Sequence, residues 1–371
     1  MNTDIVRKSF VKWKNETIIH IEILKGGASK RINYKIVTDN NKYIATYNEN
    51  KKEAEFFIYL TEIFKKKGFN VPEIYYYDKI NNIYFQEYLG DNVLHNHLNK
   101  IKNETYHYNI YKKIIQDLIK FQIECKDIID YSKSCERSVF DDVNIKWDLN
   151  YFKYCFIKLA YIDCDEEKLE NEFNNLTNYL LSSNNGFFMY RDFQTRNIIE
   201  KNGKYYYIDY QGCRKGPLQY DLASLLYSSR CNIDYEKRDK LVDYYLSLLK
   251  KLYSIIKVEN KEFKQLFYGY SLLRSLQILG AYGYRGLYEQ KSNFIKLIKT
   301  IANNVIYVTN KIPINLPEIK SIAEKIINSS YIDEQIKLKM LTVSIYSFSY
   351  KRGYPYDITG NGGGFVFDCR F

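Results

Sequence analysis

The sequence is short of the groups that most often announce a reactive centre. Four histidines occur in 371 residues, His20, His95, His97 and His107, and none lies near the acidic motif described below. A histidine-assisted nucleophile has no support there. Seven cysteines (Cys125, Cys135, Cys155, Cys164, Cys213, Cys231 and Cys369) are scattered, odd in number and free of any C-x-x-C pair. This argues against a disulfide framework or a zinc site and fits reduced, mostly buried thiols. No apolar run approaches the roughly 20 residues of a membrane span, and the first residues, Met1 to Ile5, lack the form of a signal peptide. A cytoplasmic protein with no membrane partner is therefore expected. No G-x-x-x-x-G-K-[ST] loop occurs either, which removes P-loop nucleotide binding.

What is present has the balance of a soluble globular chain, 46% hydrophobic and 27% charged. Lys plus Arg exceeds Asp plus Glu by 55 − 44 = 11. That excess suits anionic ligands such as a nucleotide, a sugar phosphate or RNA. The charge is spread rather than blocked, so a solvated lysine-rich surface explains it equally well. The 39 tyrosines accompany abundant Ile, Lys and Asn, which points to codon usage, and they carry no functional weight as a class.

One stretch organises the rest. Residues 189–200 and 204–211 read as an apolar strand, a polar loop, a second strand, a turn at 201–204 and a third strand ending at Asp209. Asp192, Asn197 five residues on, and Asp209 then converge at one end of a small sheet. Phosphoryl transfer needs such a set: one carboxylate to take a hydroxyl proton, and an amide and a second carboxylate to hold magnesium. Tyr190-Arg191-Asp192 with Asn197 matches the protein-kinase loop H-R-D-x-x-x-x-N, with Tyr for His, and Asp209 stands where the D-F-G aspartate would. Surface Asp and Asn at hairpin turns are the bland alternative for each residue alone. Their joint spacing favours the kinase-type reading.

The preceding segments supply a β-rich unit. Residues 1–20 are weakly helical. Strands at 21–24 and 32–37 flank a small-residue turn in which Gly27 and Ser29 leave N–H groups for phosphate, with Arg31 adding charge. A plain hairpin turn reads equally well there. A strand at 42–47, a helix at 50–67 that carries Glu53, and strands at 74–77 and 83–90 follow. Glu87 and Tyr88 fall where an interlobe hinge would hold adenine through its backbone. From 92 onward the chain is mostly helical, with helices at 111–124, from 147, and at 166–182. A glycine-punctuated loop at 211–220 comes next. Asp221 starts a helix, where it can serve as the N-cap; the kinase-type reading adds a second, compatible role, hydrogen-bonding the catalytic-loop backbone from below. Further helices are expected at 236–256, 261–281, 290–311 and 319–328, with a boundary at the prolines Pro313 and Pro317. Strands at 341–350 and 365–371 close the chain and either pack on the body or begin an incomplete domain.

Over Arg191-Asp192-Phe193-Gln194-Thr195-Arg196-Asn197, Ile208-Asp209-Tyr210-Gln211-Gly212 and Gly216 to Leu226 the chain resembles the aminoglycoside phosphotransferase and choline-kinase-like superfamily. The wording through Cys213-Arg214-Lys215-Gly216-Pro217, together with residues 276–283, is similar to the branch of N-acetylmuramate/N-acetylglucosamine 1-kinases. The resemblance covers about residues 15–325. It implies an α+β, bilobal protein-kinase-like fold with a small β-rich N-lobe (1–90) and a mostly helical C-lobe (91–325), to which the chain adds a linker and short C-terminal β segment (326–371). It implies ATP and Mg²⁺ as cofactors and transfer of the γ-phosphoryl group to a sugar hydroxyl, the anomeric one of an N-acetylated amino sugar. Asp192 is then the base, Asn197 and Asp209 the metal ligands, and Glu53 the N-lobe helix carboxylate. Arg191, Arg196, Gln211 and Arg214 contact substrate or brace the loop. The chain departs from the pattern in one respect: the strand at 43–47 has no lysine for the phosphates. Lys30, Arg31, Lys35 and Lys42 are the candidates to replace it. The tail, 346–353 and 365–370, resembles the start of the C-terminal domain of RapZ-type RNase adapters, which implies RNA as a partner. The rival readings are a non-catalytic nucleotide- or sugar-sensing regulator with an RNA-binding tail, and a kinase for an aminoglycoside or choline-like acceptor.

Overall fold

The computed structural model describes residues 3–24, 31–101, 103–231, 233–337, 348–349 and 351. The expected tail strands, the RNA contact they carry, and the turn with Gly27 and Ser29 lie outside the described residues.

The N-lobe comprises α1 (Thr3–Trp13), β1 (Ile18–Ile23), β2 (Ile32–Thr38), β3 (Lys42–Tyr47), α2 (Lys51–Lys66), β4 (Ile74–Asp78) and β5 (Ile83–Glu87). Its strands form one antiparallel sheet in the order β1-β2-β3-β5-β4. Period-two alternation assigns the faces. Tyr34, Ile36, Tyr43, Ala45, Ile83 and Phe85 bury one face together with Val6 and Phe10 of α1. The other face meets α2, where Tyr84 stacks on Phe57 at 5.2 Å. The side chain of Asn50 caps α2 by accepting from the Glu53 N–H.

The C-lobe contains α3 (Leu94–Lys100), α4 (Glu104–Glu124), α5 (Asp142–Phe152), α6 (Glu166–Leu181), β6 (Phe187–Met189), β7 (Ile198–Lys201), β8 (Lys204–Tyr207), β9 (Arg214–Gly216) and α7 (Leu218–Leu226). After these come α8 (Tyr235–Leu252), α9 (Asn260–Tyr282), α10 (Ser292–Ile295), α11 (Ile298–Thr309), α12 (Pro317–Ile327) and α13 (Ser330–Lys337). This is the bilobal, kinase-like α+β architecture. No helix among the described residues is long and apolar enough to cross a membrane.

Several local expectations are corrected. The single small sheet is two: β6 pairs with β9, and β7 pairs with β8. The loop at 211–220 hides β9, whose three residues Arg-Lys-Gly show no β-pattern of their own. Helix α5 begins at Asp142 rather than at 147, because Asp141 and Asn144 form a capping box. The helix expected at 290–311 is split into α10 and α11. A π-helical turn, Gly283–Tyr288, precedes them.

Three glycines at spacing three explain how α9 ends. A Cβ on Gly280 would lie 2.8 Å from the Tyr151 carbonyl, and one on Gly283 would lie 2.7 Å from Phe156 Cα. Backbone therefore packs on backbone where α9 meets α5 and the turn after it. That approach brings Asp148 of α5 within electrostatic reach of Arg274 of α9, behind the loop that follows β6.

Candidate active site

The loop after β6 is held in a costly conformation by a buried carboxylate. Arg191 has φ 78°, in the left-handed region, which costs a non-glycine residue about 1–3 kcal/mol. Asp221 accepts from the Tyr190 N–H at 2.6 Å and the Arg191 N–H at 2.8 Å. It is not the N-cap of α7. Pro217 occupies that position, and Asp221 lies fully buried in the first turn. Burial pushes its carboxyl up to about 7, although the two N–H groups favour the charged form. Tyr190, where the kinase motif has histidine, is buried and donates its O–H to the Ile208 carbonyl at 2.7 Å. The loop after β6 is thereby tied to the residue before Asp209.

Asn197 and Asp209 meet across the β7–β8 hairpin. Ile208 N–H donates to the Asn197 carbonyl at 3.0 Å. Asn197 Nδ2 donates to the Asp192 carbonyl at 2.9 Å and to Asp209 Oδ2 at 3.4 Å. Asp209 has φ 69°, and Gln211 Nε2 donates to its Oδ1 at 2.9 Å. Burial opposes the Asp209 charge, but Arg31 and the Gln211 hydrogen bond outweigh it and hold the carboxyl below its usual range. Among the described residues no three His, Cys, Asp or Glu side chains converge as a metal cage. One carboxylate and one amide oxygen instead suit a hard cation that takes its remaining ligands from phosphates and water.

Facing Asp209 from the N-lobe is Arg31, one residue before β2. Its Nε lies 3.4 Å from Glu53 Oε1, and its Nη2 pairs with Asp209 Oδ1. The helix bearing Glu53 is docked by Tyr210, which stacks on Phe57 at 4.7 Å and shares a hydrogen bond with Thr61 Oγ1 at 2.5 Å. The other candidate cations lie elsewhere. Lys35 is drawn to Asp91 at 3.1 Å and to the Tyr88 ring at 4.7 Å. Lys42 also faces that ring, at 5.9 Å. Lys30 lies outside the described residues. On β3, Thr46 donates to Asn33 Oδ1 at 2.8 Å and brings no charge. Glu87 uses its N–H on the Glu73 carbonyl and its carboxylate on Lys201, at 2.6 Å. Tyr88 donates its O–H to Asp91 at 2.5 Å.

Two guanidinium groups flank the Asp192 carboxylate: Arg274 Nη2 at 3.6 Å and Arg196 Nη2 at 4.0 Å. Arg196 is half-exposed and Arg274 buried. Arg214 is also buried, with its guanidinium on Glu136 and the Gly212 carbonyl. Arg274 and its companions Asp148 and Tyr220 were not reached from the sequence. The available signal was an arginine inside the apolar helical run Leu272-Leu273-Arg274-Ser275-Leu276.

The APH phosphotransferase enzyme family matches this chain over residues 20–252. Solved structures with the same fold include choline kinase LicA from Streptococcus pneumoniae, at 16% identity and TM-score 0.51 over 82% of this chain and 99% of that one. The ADP-bound aminoglycoside phosphotransferase APH(2'')-Ib aligns at 14% identity and TM-score 0.53, covering 84% and 100%. Choline kinase from Cryptosporidium parvum Iowa II aligns at 15% identity and TM-score 0.55, covering 84% and 95%. A search of curated proteins finds no match.

Proposed function

The chain belongs to the phosphotransferase enzyme family, and on that premise we propose that it moves the γ-phosphoryl group of ATP to the anomeric hydroxyl of an N-acetylated amino sugar. One observation carries this reading: Asp192, Asn197 and Asp209 meet at a loop braced by Asp221. The acceptor oxygen bonds to the γ-phosphorus as the bond to the β–γ bridging oxygen breaks, and ADP leaves. The hydroxyl proton passes to the Asp192 carboxylate. An anomeric hydroxyl is more acidic than an ordinary alcohol, so a carboxylate base suffices. Asn197 and Asp209 would hold magnesium, which when bound neutralises charge on the phosphates. Gln211 orients Asp209. Arg31, between Glu53 and Asp209, takes the phosphate-facing place that β3 leaves without a lysine.

The surroundings of Asp192 support a neutral acceptor. A choline or aminoglycoside cation would approach a base already flanked by Arg274 and Arg196, and like charges at such separations repel. The test is an ATP-consumption screen over N-acetylated amino sugars, aminoglycosides and choline, with Asp192→Asn beside the wild type. The expected result is turnover with an amino sugar, reduced about 10²–10⁴-fold by the substitution. Turnover with cationic acceptors alone would sink the sugar reading, and turnover surviving in Asp192→Asn would remove the base.

A further inference from the structure

Arg274 lies within α9 with 2% of its side chain exposed. Its Nη1 donates to the Tyr220 hydroxyl oxygen at 3.0 Å, and its guanidinium carbon stands 5.3 Å from the centre of that ring. Its Nη2 is 3.6 Å from Asp192 Oδ1. Asp148, reaching in from α5, is buried beside Arg191, whose Nη2 is 3.9 Å from Asp148 Oδ1. Three buried polar atoms around this cluster, Arg274 Nε, Asp148 Oδ2 and Arg191 Nη1, have no hydrogen-bond partner among the described residues. Burial pushes the Asp148 carboxyl up, against Arg191 and Arg274. A cluster left this incompletely paired is poor value as a stabiliser, because a buried ion group of similar shape is often replaced by hydrophobes without loss. The cluster's most exposed member is Asp192, whose carboxylate is 36% exposed, against 21% for Arg191.

We propose that Arg274 is a positioning residue of the transfer proposed above, acting through Asp192, with Asp148 as the buried counter-charge that keeps the guanidinium in place. The inference rests on that functional reading. A half-exposed carboxylate samples several rotamers, whereas a base must present one lone pair to the acceptor hydroxyl. Arg274 fixes the Asp192 carboxylate from its buried side and leaves the exposed side for the hydroxyl. A guanidinium does not deprotonate in a protein, so it never competes for the proton that Asp192 accepts. The geometry joins three distant elements, α5, the catalytic loop and α9, and their approach depends on the glycines at the end of α9.

The test uses the full chain with Arg274→Met, Arg274→Lys and the double variant Arg274→Met/Asp148→Asn, assayed with the acceptor found in the screen. Arg274→Met is expected to lower kcat about 10²-fold, the scale of a misplaced catalytic group. The KM for ATP is expected to stay within about twofold, because only the acceptor side is disturbed. Arg274→Lys recovers part of kcat. The double variant removes the Arg274 charge together with its proposed counter-charge, so it is expected to stay folded while kcat stays low. A double variant with kcat near wild type overturns the role. So does a KM for ATP that rises with the loss of kcat, and so does a double variant that fails to fold, which would assign Arg274 to the core. If the wild type transfers to no hydroxyl, the functional reading falls and this inference with it. If the wild type transfers and the double variant does so equally, the inference alone falls.

Discussion

The two walls of the cleft are built by opposite rules. On the C-lobe wall, Asp192, Asn197 and Asp209 come from one short run of sequence, tied by backbone bonds within a hairpin and by Asp221 just beyond it. On the N-lobe wall, the cation facing them comes from outside its usual strand: Arg31, ahead of β2, meets Glu53 and Asp209 while β3 supplies Thr46. The first wall is set by a spacing in sequence, and the second by a meeting in space. A long guanidinium side chain spans the distance from the start of β2 to the Glu53 and Asp209 carboxylates.

The comparison can be broken most forcefully at Asp221. In Asp221→Ala the N–H groups of Tyr190 and Arg191 lose their acceptor, at about 1–3 kcal/mol each, and the left-handed Arg191 loses its restraint. Thermal unfolding should show a drop of several degrees, and transfer activity should fall further than folded protein does. Normal stability in this variant would mean that the C-lobe wall does not depend on its brace.

Arg31 is the next point of attack. Arg31→Met should lower kcat/KM for ATP about 10–100-fold, equivalent to about 1.4–2.7 kcal/mol, while Lys35→Met and Lys42→Met change it little. A larger effect at Lys35 would transfer the phosphate role to the hinge side and cancel the contrast between the walls.

The smallest effect is one of pH. With burial holding Asp221 up to about 7 against an ordinary 3.8, the folded chain retains a proton that the unfolded chain loses across that interval. Stability from this group is therefore complete below about pH 4 and lost as pH rises through 7. Denaturant titrations across that range should show a decline that Asp221→Asn flattens. An unchanged slope would show that other carboxyls set it.

Much of the C-lobe wall was legible because its parts are near neighbours in sequence. Asn197 and Asp209 flank one hairpin and Asp192 lies in the short loop that leads into it, so their spacings are short and countable. Asp221 was legible both as a helix start and as a brace for the loop above; the brace is what the hydrogen bonds show, and Pro217 holds the cap. The β6–β9 pair was not legible, since a three-residue strand such as Arg214–Gly216 gains its structure from its partner. The choice among four basic residues for the N-lobe wall was not legible either. Candidate spacing along β2 and β3 says which face a side chain takes, but not how far it reaches across a cleft.

By itself, then, the sequence determined the kinase-like order of elements and the acid–amide–acid set, because strand alternation, helix periodicity and turn spacing are local properties. The tertiary structure alone decided which distant charges complete that set. Arg31 stands between Glu53 and Asp209, and Tyr210 docks the Glu53 helix α2 against the lower lobe. Arg274 and Asp148 stand behind Asp192 because glycines let α9 close onto α5. Both depend on packing between elements far apart in the chain, where no spacing rule operates and only shape and burial select the contact.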